Sequence, residues 1–213
     1  MISMDNEISV IDYEAANIGS VLRMLEKAGA KPVRASTPTE IAAARRIILP
    51  GVGAFDHGMD QLHKRGLVDE LNHAALVRRI PVMGICLGMQ LMCRSSEEGE
   101  RRGLGWMEAS VEKFRFAPEQ RLAVPHMGWN TVQLCKENPL LPALEARTRF
   151  YFVHSYKVRC DHEEDIVAKT HYGEDFVSIF SRGNLFGAQF HPEKSHRFGM
   201  QLLSNFLKHT ANA

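Results

Sequence analysis

The chain has 213 residues, 45% of them hydrophobic and 24% charged, and its 26 Lys and Arg against 25 Asp and Glu leave a net charge of +1. That length suits one well-cored domain, placed here at 1–213, and the balanced charge argues against the basic face that general nucleic-acid binding wants. No run approaches the ~20 apolar residues of a membrane span and the first residues lack a basic segment with an apolar core, so a cytoplasmic chain without membrane attachment is expected.

The elements alternate along the first half. Ile8-Ser9-Val10-Ile11 reads as a strand. Ile18, Val21, Leu22 and Leu25 then follow at i, i+3, i+4 and i+7, the pattern of a helix that stops at Gly29. Residues 31–35 read as a second strand, and Thr37-Pro38-Thr39-Glu40 carries a capping box with proline at the first helical position. Residues 46–49 resume strand and break into the glycine-bracketed turn Pro50-Gly51-Val52-Gly53. A helix over 67–79 precedes the apolar run Ile80 to Met83, and a further helix begins at Leu87, with Cys93 packing on it.

This order implies a parallel sheet covered on both faces, with functional loops at the carboxyl ends of its strands. The second half changes character. Phe150 to Val158, Phe176 to Phe180 and Leu185 to Phe190 favour strands, in part antiparallel, and 195–209 closes the chain as a helix. The expected fold is α/β: a mostly parallel central sheet with helices on both faces plus an added antiparallel β layer.

Four cysteines, Cys86, Cys93, Cys135 and Cys160, show no Cys-x-x-Cys pairing, and the ten histidines show no persuasive ligand spacing. Neither a metal site nor a cofactor is expected. Cys86 stands apart because it sits in Gly84-Ile85-Cys86-Leu87-Gly88, between a strand and a helix. Glycines on both sides permit the sharp turn of a nucleophile elbow, and the first N–H groups of the following helix favour thiolate over thiol. Taken alone the short motif also fits a buried structural thiol.

A thiol nucleophile needs a base, and the base needs a partner that holds its orientation. Leu185 to Phe190 runs as a strand into His191-Pro192-Glu193, where the proline keeps His191 extended, so that residues i and i+2 project to the same side. Cys86, His191 and Glu193 fill the three roles. Acyl transfer also requires donors for an oxyanion, and a backbone N–H at Val52 or Gly53 with that of Leu87 would supply two. A phosphate loop is disfavoured there, since position 56 of the would-be Gly-x-Gly-x-x-Gly is Asp56.

These residues carry a resemblance. Leu49-Pro-Gly-Val-Gly-Ala-Phe55, Gly84-Ile-Cys-Leu-Gly-Met-Gln90 and Gln189-Phe-His-Pro-Glu-Lys194 are similar to the three signature blocks of class I, triad-type glutamine amidotransferases, in the family's order. Ile11 to Ile18, Val124-Pro-His-Met-Gly-Trp-Asn130 and Tyr151-Phe-Val-His-Ser-Tyr156 resemble the branch that serves as glutaminase subunit of imidazole glycerol phosphate synthases. Glu14-Ala15-Ala16 departs from the family, which has a glycine-containing turn before the asparagine.

The resemblance implies that glutamine is held by Gln90, Glu98, Ser155 and Tyr156, with Gly51 and Gly53 lining the same cleft. Glu98 also fits a solvated acidic loop, Glu97-Glu98-Gly99-Glu100. It implies a heterodimer with a (β/α)8 cyclase subunit that receives the ammonia, with Asn17, His126, Met127, Trp129 and Lys194 at the interface. Three rival readings stay open at this level: service to a cyclase-like partner in another pathway, such as surface-polysaccharide sugar synthesis, a non-catalytic glutamine sensor, or a partner-independent thiol hydrolase.

Overall fold

A computed structural model describes residues 6–142, 145 and 147–210. The domain expected at 1–213 therefore has both its ends, 1–5 and 211–213, outside the described residues. The first half runs β1 (Glu7–Ile11), α1 (Ile18–Lys27), β2 (Lys31–Ala35), α2 (Pro38–Ala42), β3 (Ile47–Gly51), α3 (Phe55–Lys64), α4 (Val68–Asn72), β4 (Val82–Cys86) and α5 (Leu87–Leu91). The second runs β5 (Ser95–Ser96), β6 (Ala109–Lys113), β7 (His126–Thr131), β8 (Gln133–Leu134), β9 (Arg149–His154), β10 (Tyr156–Cys160), β11 (Ile166–Tyr172), β12 (Glu174–Arg182), β13 (Leu185–Ala188) and α6 (His196–His209).

Local signals explain several boundaries. Gly29 leaves α1 at φ +92°, a conformation that side chains resist. At α2 the Thr37 hydroxyl accepts from the Glu40 N–H and the Glu40 carboxylate accepts from the Thr37 N–H, closing the capping box. The helix expected over 67–79 is α4 followed by a π-helical turn, His73–Val77, and Arg79 at φ +53° ends it. α5 is shorter than expected. Cys93 lies beyond its end, buried, with its thiol 3.8 Å from the Met89 carbonyl.

Among the described residues one eleven-stranded sheet runs in the order β2-β1-β3-β4-β13-β12-β10-β6-β5, with β11 and β8 branching from β12. β2, β1, β3, β4 and β13 pair in parallel. Ile47 and Leu49 face a core with α2, α3 and α4, while Ile48 faces a second core with α1 and α6, as alternation in a strand covered on both faces requires. The antiparallel part takes two forms: β12, β10 and β6 continue the same sheet, and β7 with β9 forms a separate two-stranded ribbon.

Phe150 to Val158, read as one strand, is broken at Ser155: β9 belongs to the ribbon and β10 to the main sheet. The strand expected over 185–190 ends at Ala188, and 192–194 is a 3-10 turn rather than extended chain. No described helix is long and apolar enough to cross a membrane, and no described group of His, Cys, Asp and Glu is placed to hold a metal ion.

Candidate active site

Cys86 ends β4 at the centre of the sheet, with φ 52° and ψ −109°, a strained conformation outside the left-handed well. Close approach enforces the neighbouring glycines. A Cβ on Gly84 would meet the Met89 backbone N at 2.7 Å, and one on Gly88 would collide with the Leu49 carbonyl. The Cys86 thiol is nearly buried, 3.9 Å from Gln189 Nε2 and 4.0 Å from the Val153 carbonyl.

His191 follows β13, the neighbour of β4, so the sheet itself brings the two segments together. Its Nδ1 lies 2.7 Å from Glu193 Oε1, both side chains are buried, and its Nε2 meets no nitrogen or oxygen partner among the described residues. The turn that aims them is fastened by Ser195, whose hydroxyl donates to the His191 carbonyl at 2.6 Å and accepts from the Tyr151 N–H at 3.0 Å. Burial alone would lower the His191 pKa, but Cys86 and Glu193 outweigh it and raise it to about 10. An imidazolium beside a thiol, held on its other nitrogen by a carboxylate, is equipped to pass a proton to the leaving group of an acyl transfer.

A cavity of about 470 Å³ opens over Cys86 and His191, and Val52, Leu87, Gln90, Glu98 and Tyr156 line it with them. Class-I glutamine amidotransferase is the family whose model matches residues 9–210. The chain belongs to this family. Within it the chain falls among the HisH subunits of imidazole glycerol phosphate synthase. It is 48% identical to HisH 2 of Pseudomonas aeruginosa over 201 residues, 94% of this chain and 98% of the relative. It is 45% identical to HisH 2 of Methanococcus maripaludis, with the same coverage. Among solved structures, PurLQS from Thermotoga maritima superposes with TM-score 0.73 at 18% identity, over 97% of this chain and 99% of that one. The glutaminase domain of Trypanosoma brucei CTPS gives 0.64 at 17%, over 95% and 94%. Those two likenesses concern the fold alone.

In this class-I amidotransferase one of the two donors expected in the 52–53 turn is engaged. The Val52 N–H donates to the Ala15 carbonyl at 2.8 Å, so in this conformation it is not a free donor, and Gly53 stands at φ +100°. Beneath the turn the buried Tyr13 hydroxyl donates to the Pro50 carbonyl at 2.8 Å, and burial pushes its pKa well up. Gly51 rests on that hydroxyl, where a Cβ would sit 2.5 Å from it.

Gln90 donates through Nε2 to the Tyr156 carbonyl and to Gln189 Oε1, both at 3.1 Å, so both protons of its amide are committed within the protein. Glu98 is more than a solvated loop residue: its Oε2 accepts from the Phe55 N–H at 2.8 Å, at the start of α3, and burial raises its pKa. Ser155 and Tyr156 lie at the break between the two sheets and line the cavity.

Met127 and Trp129, 62% and 41% exposed, stand on the outer face of β7, and Asn17 and Lys194 are exposed as well. His126 is not with them. It is 3% exposed, on the inner face of β7, and stacks on Tyr172 at 4.1 Å, because alternation along the strand turns it inward. Sequence reasoning passed over Gln189, His154, Ser195 and Tyr13. Gln189 had a readable signal, two residues before His191 on the same side of an extended chain.

Proposed function

We propose that this chain hydrolyses glutamine to glutamate and ammonia as one amidotransferase domain, and that it passes the ammonia to a (β/α)8 cyclase subunit with which it forms a heterodimer. The cyclase would use it to form imidazole glycerol phosphate and an aminoimidazole carboxamide ribotide in histidine biosynthesis, the synthase for which the HisH relatives are named. The observation that carries the reading is the Cys86, His191 and Glu193 set, lining or adjoining one cavity, with the His191 to Glu193 bond at 2.7 Å.

In this reading the Cys86 thiolate adds to the side-chain amide carbon of glutamine, and the tetrahedral oxyanion is met by the N–H of Leu87 and by one in the 51–53 turn. His191 Nε2 gives its proton to the amide nitrogen, the C–N bond breaks, and ammonia leaves a γ-glutamyl thioester. Water then adds to the thioester, His191 recovers a proton from it, and the C–S bond breaks to release glutamate and regenerate the thiolate. Glu193 orients the imidazole. Glu98 faces the substrate's α-ammonium, the Gln90 Oε1 accepts from a substrate N–H, and Gly53, Ser155 and Tyr156 shape the pocket, while Gly51, expected to line it, is instead packed against Tyr13 and Leu87. Free ammonia protonates in neutral water and loses its nucleophilicity, which is why a docked partner is needed; Asn17, Met127, Trp129 and Lys194 are the surface offered to it.

Glutamate release is the test, measured for the chain alone, with the cyclase, and with cyclase plus its nucleotide ligand, using Cys86→Ala as control. Stimulation that needs both additions and vanishes in the variant supports the reading. Full activity of the isolated chain points to a free hydrolase, and silence in every mixture rejects the assignment.

A further inference from the structure

We propose that His126 is a positioning residue for the glutamine cleft: acting through His154, it fixes the Tyr156 carbonyl and with it the amide of Gln90. The inference rests on the reading of this cavity as a glutamine site. His126 Nδ1 lies 3.2 Å from His154 Nε2, directly across the ribbon, where the two residues are register partners. His154 Nδ1 lies 2.8 Å from the Tyr156 carbonyl, and Asn130 Nδ2 lies 3.3 Å from His126 Nε2.

Backbone groups determine the direction of every bond in this chain. Asn130 Nδ2 donates to the His171 carbonyl at 3.0 Å and Asn130 Oδ1 accepts from the Thr131 N–H at 2.8 Å, so the amide has one orientation. Its NH2 therefore meets His126 Nε2, which must accept. His126 then carries its proton on Nδ1 and donates to His154 Nε2. His154 carries its proton on Nδ1 and donates to the Tyr156 carbonyl, which only accepts. One arrangement of protons satisfies both ends with both rings neutral, and burial supports it by lowering the His126 pKa to about 4 and the His154 pKa to about 3.

The end of the network is at the cleft. The Tyr156 carbonyl accepts from His154 and from Gln90 Nε2, and Gln90 also donates to Gln189, which contacts the Cys86 thiol. The Ser155 carbonyl is held separately by the Phe114 N–H at 3.1 Å. The joint between β9 and β10 is thus pinned on both sides of the peptide that lines the pocket.

Asn130→Asp tests the direction of the bonds. A carboxylate facing Nε2 demands a proton there, so a neutral His126 has none left on Nδ1 for His154; protonated His126 donates from both nitrogens and restores the contact. The other titratable groups on this side chain are His154 on β9 and Tyr172 on β11. Behind them, His191 acts on His154, and His171 faces outward to Asp175. Glutamate release is measured in the mixture of chain, cyclase and nucleotide ligand. For Asn130→Asp the KM for glutamine is expected to rise about tenfold at alkaline pH and to fall back toward the wild-type value as pH drops, with kcat little changed. Asn130→Ala, which removes the donor without opposing His126, is expected to stay within about twofold at every pH. Nitrogen NMR of the wild-type imidazoles is expected to place the proton on Nδ1 of both rings. A KM that is unchanged, or raised equally at all pH in both variants, or a proton on Nε2 of either ring, overturns the inference. If the wild-type mixture releases no glutamate, the glutaminase reading itself fails and the inference falls with it.

Discussion

The backbone N–H of Val52 is bonded to the carbonyl of Ala15 at 2.8 Å, so the first loop of the chain holds the turn that lines the cavity over Cys86. Tyr13, in the same loop, holds the Pro50 carbonyl two residues earlier. Two bonds therefore tether the turn to the first loop, and recruiting the Val52 N–H to the proposed oxyanion site requires the turn to rotate away from Ala15.

Removing one tether favours that rotation. Tyr13→Phe is expected to raise the unstimulated rate of glutamate release about fivefold, because a typical net hydrogen bond contributes about 1 kcal/mol. The same change leaves a buried carbonyl unpaired and lowers stability by about 1–3 kcal/mol. Kinetics of the isolated chain beside a thermal melt read both; an unstimulated rate at or below wild type sinks the tether argument.

His191 titrates near 10 because Cys86 and Glu193 overcome the effect of burial. This folded-state value lies above the free value of about 6.5, so the stabilisation is complete below that pH and is lost as pH climbs toward 10. The gap in Tm between wild type and Glu193→Gln should be widest at about pH 6 and close in alkali. In the same variant the alkaline limb of kcat/KM moves to lower pH. A gap that widens with rising pH contradicts the assignment.

Glu98 serves two ends, since one oxygen caps the start of α3 while the side chain lines the cavity. Glu98→Gln keeps an oxygen for the Phe55 N–H and loses the charge, so KM for glutamine rises with little change in Tm. Glu98→Ala loses both, and Tm falls too. Equal KM for wild type and the glutamine variant removes Glu98 from the substrate site.

Trp129 stacks on His196 at 5.3 Å with the ring planes 3° apart, on the outside of the ribbon. Trp129→Ala is expected to leave the fold intact and weaken cyclase binding about thirtyfold, as truncation of an exposed aromatic anchor does. Titration calorimetry with the folded variant decides; an unchanged Kd moves the interface elsewhere.

Local chemistry made much of this legible. The capping box at Thr37, the break at Gly29 and the glycines around Cys86 each act within a few residues, and each stands where the sequence put it. α3 carries no start signal in the sequence although Phe55, Met59 and Leu62 have helical spacing, because its N-cap is Ala54, whose methyl cannot accept a hydrogen bond. The partition of Phe150 to Val158 between two sheets, and the inward turn of His126, depend on which strands pair, and pairing is decided by the whole fold. The Val52 N–H was unreadable for a different reason: its partner is a backbone carbonyl, and no side chain announces it.

β7 places Met127 and Trp129 outward and His126 and Asn130 inward. A single inserted residue would exchange the two sets, sending the tryptophan into the aromatic core and the imidazole into water. This strand therefore tolerates substitution far better than any change in its length.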